Sequence, residues 1–169
     1  MRLFIAINLS DAMKDALSSA QEEMYGKGVR GNFTPRENMH LTLAFIGEYP
    51  DKEKVMDALS SVTFSSFTIS LTGMGCFRDL WWAGMEESAP LAAVVRRIRR
   101  ALAENDIPFD RKRFSPHITL IRKASGMIPG IQVEKVSMPV ERISLMRSDR
   151  GKRGMIYTEI GEIRSGRLD

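Results

Sequence analysis

Only two histidines occur in the chain, and each opens the same four-residue pattern: His40-Leu-Thr-Leu43 and His117-Ile-Thr-Leu120. Given the first copy, ordinary residue usage would produce the second roughly once in a thousand chains. A lone histidine is usually a satisfied core or surface residue, but that reading leaves the echo unexplained. In an extended strand, side chains alternate between faces. His40 and Thr42 are therefore expected on one face, with Leu41, Leu43 and Phe45 on the other. His117 and Thr119 should likewise stand opposite Ile118 and Leu120. Two such strands facing each other would bring two imidazole–hydroxyl pairs to one cleft. Imidazoles on opposite sides of a phosphorus suit in-line displacement, one taking a proton from the attacking oxygen and the other protonating the leaving oxygen. An unperturbed histidine pKa of about 6.5 lets one neutral and one charged ring coexist near neutrality. The threonine hydroxyls can donate to non-bridging oxygens, and a nearby arginine can offset developing charge. A zinc site usually needs three or four protein ligands, and no Cys/His cluster supplies them, although added carboxylates could complete one. A serine-type triad needs one histidine and leaves the duplication without a purpose. The expected centre uses neither metal nor cofactor and breaks a phosphodiester bond.

The elements that must carry these pairs can be read from hydrophobic periodicity. Residues 2–8 read as a buried strand ending near the helix cap Ser10. Met13, Leu17, Ala20 and Met24 recur at helical spacing until Gly26 and Gly28 end the helix. A turn-like stretch, 34–38, precedes the first histidine strand, 40–46. A second helix is expected over 51–62, strands over 66–72 and 80–85, and a third helix begins at the cap Ser88. Its apolar stripe is Leu91, Val94, Val95, Ile98 and Leu102, with Arg96, Arg97, Arg99 and Arg100 elsewhere on it. After the second histidine strand, 117–121, further strands are expected near 131–137, 140–147 and 154–160. The last two are joined by the turn 149–154. Strands that follow one another without regular strand–helix alternation favour a mostly antiparallel α+β fold. Strand, helix and His-Leu-Thr-Leu in one half answer helix and His-Ile-Thr-Leu in the other, which suggests two similar lobes.

At 169 residues the simplest organisation is one domain over 1–169, large enough for a real core. No apolar run reaches the roughly 18 residues a spanning helix needs, and the N-terminal segment lacks a signal-peptide core and cleavage site. Cytoplasmic placement without a membrane follows as the expectation, and nothing demands more than a monomer. Cys76, the single cysteine, cannot form an internal disulfide and is expected as a small buried hydrophobe. The net charge of +4 is unevenly spread: residues 96–153 hold 15 Lys/Arg against 6 Asp/Glu, and the remainder balances to −5. Such asymmetry suggests a polyanionic partner, nucleic acid first. A solvated helix face plus charged loops is the plainer alternative.

The paired His-x-Thr-Leu motifs resemble those of the 2H phosphoesterases, in particular the bacterial and archaeal RNA 2′,3′-cyclic phosphodiesterases, historically called 2′-5′ RNA ligases. The likeness includes Arg2-Leu-Phe-Ile-Ala6, Glu37-Asn-Met-His-Leu-Thr-Leu-Ala-Phe-Ile-Gly47, Leu80-Trp-Trp-Ala-Gly84, Phe114-Ser-Pro-His-Ile-Thr-Leu-Ile-Arg122 and a final strand holding Tyr157. The resemblance implies two pseudo-symmetric lobes, each a small antiparallel sheet with helices outside and the cleft between them. It implies metal-free hydrolysis of a ribose 2′,3′-cyclic phosphate to a 2′-phosphate. His40 would be the general acid, His117 the general base, and Thr42, Thr119 and Arg122 would bind the phosphate. RNA ends, or small nucleotides carrying a cyclic phosphate, are the implied partners, and reverse 2′-5′ joining is accessible to the same catalyst. Ile5 stands where family members often have a second aromatic residue. Phe4, Phe33, Trp81 and Trp82 could stack on bases, though core packing is expected for most of them. The alternative is a non-catalytic RNA- or nucleotide-binding module on the same fold, which would need no proton donor and acceptor pair.

Overall fold

The computed structural model describes residues 1–126 and 130–166. In chain order the elements are β1 (Arg2–Asn8), α1 (Asp11–Gly26), β2 (Arg30–Phe33), β3 (His40–Glu48), α2 (Lys52–Ser60), β4 (Phe67–Phe77), β5 (Leu80–Met85), α3 (Ala89–Glu104), β6 (His117–Ser125), β7 (Ser137–Val140), β8 (Arg142–Gly151) and β9 (Gly154–Arg164). A single 3-10 turn, Arg36–Asn38, leads into β3. The strands form two sheets, ordered β3-β1-β8-β9 and β2-β6-β5-β4-β7, with every pairing between these strands antiparallel. The α+β class is the observed one, and each histidine strand lies in a different sheet. Among the described residues no helix is long and apolar enough to cross a membrane.

Local chemistry explains the helices. The Ser10 hydroxyl accepts from the Met13 amide at 3.2 Å, and the Ser88 hydroxyl accepts from the Leu91 amide at the same distance. Each cap satisfies one of the orphan donors of the first turn. Behind the caps, Met13, Ala16, Leu17, Ala20 and Met24 of α1 are buried, as are Leu91, Val94, Val95, Ile98, Ala101 and Leu102 of α3. β1 is internal to its sheet, and residues 3–7 are buried on both faces. Leu3, Ile5 and Ile7 join the main core, which is continuous with Leu41 and Leu43 of β3 and with Ile118, Leu120 and Ile121 of β6. Phe4 and Ala6 point the other way and pack with Met146, Phe45 and Tyr157 in a smaller cluster.

Two of the sequence expectations differ from the structure here. No strand forms over 131–136; Ser137–Val140 pairs with β4 instead, and β8 begins only at Arg142. β2, Arg30-Gly-Asn-Phe33, is a polar segment for which the sequence offers no element, and it pairs along the edge of β6. Cys76 is exposed rather than buried, because it sits beyond the core on the β4–β5 hairpin, opposite Trp81. Gly31 fits the β2–β6 contact closely: a Cβ there would lie 2.8 Å from the Lys123 carbonyl oxygen and 2.9 Å from that of Arg122. Gly31→Ala is therefore expected to destabilise the fold by about 1–3 kcal/mol, the usual range for overpacking, as read from denaturant midpoints. An unchanged midpoint would show that β2 is not held closely against β6.

Candidate active site

Each histidine is the first residue of its strand, and each is fixed in the same way. His40 Nδ1 lies 2.7 Å from the Asn38 carbonyl oxygen, and His117 Nδ1 lies 2.7 Å from the Ser115 carbonyl oxygen. A carbonyl can only accept, so both Nδ1 atoms carry the proton when the rings are neutral, and both Nε2 atoms are left to exchange protons. Asn38 is itself anchored, its side-chain amide donating to the Met155 carbonyl at 3.0 Å. Both rings line one cleft of about 1120 Å³ between the sheets, together with Thr42, Thr119 and Arg122. All five residues singled out in the sequence are brought together there.

Strict alternation would turn Phe45 inward with Leu41 and Leu43. The structure corrects this: Phe45 lines the cleft. Ile5 of β1 pairs with Ala44 while Ala6 pairs with Thr42, so β3 carries one extra residue at this point. Leu43 and Ala44 are consecutive and both 1 % exposed. A bulge of this kind advances the side-chain phase by one position. β6 repeats the device: Trp82 pairs with Thr119 while Trp81 pairs with Ile121, and Leu120 and Ile121 are both 0 % exposed. The phase change brings Arg122 to the cleft side with His117 and Thr119. Each motif thus presents positions i, i+2 and i+5, as His40/Thr42/Phe45 and as His117/Thr119/Arg122. The two consecutive aliphatic residues after each threonine are the sequence signal that strict alternation passes over.

The pairs share geometry but not surroundings. The His40 ring packs against Phe4, centroids 4.8 Å apart, and meets the Tyr157 ring edge-on at 5.0 Å. Burial among these rings pulls its pKa below the ordinary histidine value; the nearby Lys14 charge acts the same way and the Asn38 carbonyl opposes both. His117 is exposed, with the Trp82 ring 5.5 Å away. That indole lies over Gly75, where a Cβ would come within 2.6 Å of it. Phe4 and Phe33 line the cleft, whereas Trp81 packs against the core. Among the described residues no three His, Cys, Asp or Glu side chains gather as metal ligands.

Arg99, one of the four arginines placed outside the apolar stripe of α3, reaches back to the first histidine strand. Its guanidinium donates to the Lys112 carbonyl at 2.7 Å and to the Leu43 carbonyl at 3.5 Å, beside the rings of Phe109 and Phe114. The Asp110 amide donates to the Phe45 carbonyl at 2.8 Å. The segment leading to His117 is thereby tied to the bulge that follows His40 and Thr42.

Comparison with known proteins places this geometry in context. The model of the 2′-5′ RNA ligase superfamily matches residues 11–152. The RNA 2′,3′-cyclic phosphodiesterase of Thermus thermophilus is 33% identical over 178 aligned positions, covering 94% of this chain and 87% of that protein. That of Thermotoga maritima is 29% identical, covering 96% and 94%. Among solved structures, a Thermus thermophilus protein superposes with a TM-score of 0.79 at 30% identity, covering 97% of each chain. Escherichia coli LigT complexed with ATP superposes with a TM-score of 0.83 at 26% identity, covering 98% of each.

Proposed function

Because this chain belongs to the 2′-5′ RNA ligase superfamily, that of the 2H phosphoesterases, we propose that it opens the 2′,3′-cyclic phosphate of an RNA end to a 2′-phosphate, with His40 and His117 as acid and base and no metal ion. The observation that carries this reading is the matched pair itself. Two imidazoles held in the same tautomer enter one cleft from two sheets, each with a threonine two residues on. Water attacks phosphorus as His117 Nε2 takes its proton. The P–O3′ bond breaks, and His40 Nε2 gives a proton to the departing 3′ oxygen, leaving a 2′-phosphate monoester. Thr42, Thr119 and Arg122 hold the non-bridging oxygens as charge builds there. The cyclic phosphate's own negative charge favours the imidazolium form of His40 and so counters its burial. The same displacement with an RNA 5′-hydroxyl in place of water would join 2′-5′ ends, but in water hydrolysis dominates. A small nucleotide with a cyclic phosphate fits the same chemistry.

One observation favours exchanging the roles: the burial that disfavours the charged form of His40 suits it to a base. Two measurements test the whole reading. EDTA-treated protein is expected to convert an RNA oligonucleotide ending in a 2′,3′-cyclic phosphate to the 2′-phosphate; turnover that appears only when a divalent metal is restored would refute the metal-free pair. No turnover under either condition, with RNA bound, would favour the binding module. A cyclic substrate with sulfur at the 3′ bridging position needs no proton on its leaving thiolate. His40→Ala should therefore recover activity on it while His117→Ala does not, and the opposite pattern would exchange the roles.

A further inference from the structure

The cleft is larger and more basic than one cyclic phosphate requires. Pockets that enclose a single drug-sized molecule measure roughly 300–1,000 Å³, and this one is about 1120 Å³. Besides Arg122 its lining includes Arg2, Arg150 and Arg153, against one carboxylate, Glu37. The ion pairs of β8 and β9 lie elsewhere: Arg147 pairs with Asp149 at 3.0 Å, and Arg142 with Glu159 at 3.0 Å and Glu162 at 3.1 Å. Arg150 and Arg153, with no ion pair among the described residues, therefore keep their charge available to a ligand. Alternation along β8 explains the division. Arg147 and Asp149 share one face and neutralise each other, while Ser148 and Arg150 share the face that lines the cleft.

Position along the hairpin adds a direction. Tyr157, which touches the His40 ring, pairs with Ser148, and Arg150 pairs with Met155 two residues farther toward the tip. Two residues of strand span roughly 7 Å, of the order of one step along an extended RNA backbone. Arg2 pairs with Ser148 from the other side, its guanidinium lying 5.0 Å from the Phe45 ring centroid.

We infer that Arg150 and Arg153, at the tip of the β8–β9 hairpin and flanked by Arg2, bind the phosphate that precedes the terminal nucleotide, so that an oligoribonucleotide end is preferred over a free cyclic mononucleotide. This rests on the phosphodiesterase reading above and adds a second phosphate subsite to it. Guanidinium groups suit the task because their fork matches two phosphate oxygens at once.

The test compares a cyclic mononucleotide with a dinucleotide ending in the same cyclic phosphate. Wild type should show a kcat/KM about tenfold or more higher on the dinucleotide, with a log–log salt dependence steeper by about 0.7 for the additional phosphate. In the double variant R150Q/R153Q that ratio should fall below about threefold and the extra salt dependence should vanish. R147Q, on the opposite face, should keep the wild-type ratio. Affinities for the two 2′-phosphate products, measured in parallel by titration calorimetry, should follow the same pattern. A wild type without preference, or a preference kept in the double variant, would overturn the subsite. Failure to turn over either substrate would instead sink the phosphodiesterase reading, and the product affinity ratio would still decide the subsite.

Discussion

Replacing either His40 or His117 by alanine is expected to lower ring-opening turnover by roughly a hundred- to ten-thousand-fold, the usual worth of a positioned acid or base. The double variant should be little worse than the weaker single, because the two groups act in one step. Folding should survive in all three, since each ring sits at the start of its strand and makes one hydrogen bond, through Nδ1 to the carbonyl two residues before it. Circular dichroism and thermal midpoints check this. A single variant within a few-fold of wild type would remove that histidine from the mechanism. The pH profile follows from the surroundings of His40. Activity requires one proton shared between two rings, so it fails at low pH when both are charged. Burial disfavours the charged form of His40. The acidic limb of kcat/KM, which reports the free protein, should therefore lie below pH 6.5, the ordinary histidine value. An acidic limb above that value would contradict the packing of His40 against Phe4 and Tyr157.

Arg122→Ala should reduce kcat by about a hundred- to a thousand-fold, as loss of a donor aimed at developing charge does elsewhere. The structural reason is the bulge at Leu120–Ile121, which brings Arg122 to the cleft side with His117 and Thr119. Lysine should restore only part of the loss, because a point charge cannot make two parallel contacts to a phosphate. A change confined to KM would mean that Arg122 binds ground and transition states equally and serves only to hold substrate. The side chain is exposed, so stability should not move.

The motif residues were legible because chemistry and periodicity agreed: His40 with Thr42 and His117 with Thr119 lie as alternation demands. Alternation then failed at Phe45, where two consecutive buried aliphatics reset the phase. The same two-aliphatic spacing before Arg122 could have been read from the repeat itself. Partners distant in sequence were harder to see. The Asn38 tie to β9, the aromatic packing around His40, and Arg99 reaching Leu43 all depend on which elements meet, and no local pattern encodes that. β2 went unread for a related reason. Its four residues carry no strand signal of their own and take their conformation from β6. Cys76 failed because a strand can outrun the core; β4 extends to Phe77, past its last fully buried residue, Leu71.

The strand order has a consequence for how the chain assembles. β1 pairs on one side with β3 and on the other with β8, whose register joins residues 2–6 to 144–148. β2 must likewise wait for β6 to arrive from about ninety positions away. Closing such long loops before their contacts form slows folding, as in other domains rich in distant strand pairs. During synthesis the His40 strand emerges early but lies on a sheet with an open edge until β8 is made. Tyr157, which packs on its ring, comes later still. Competence for chemistry is therefore a late event on the folding route, reached only when the last hairpin docks.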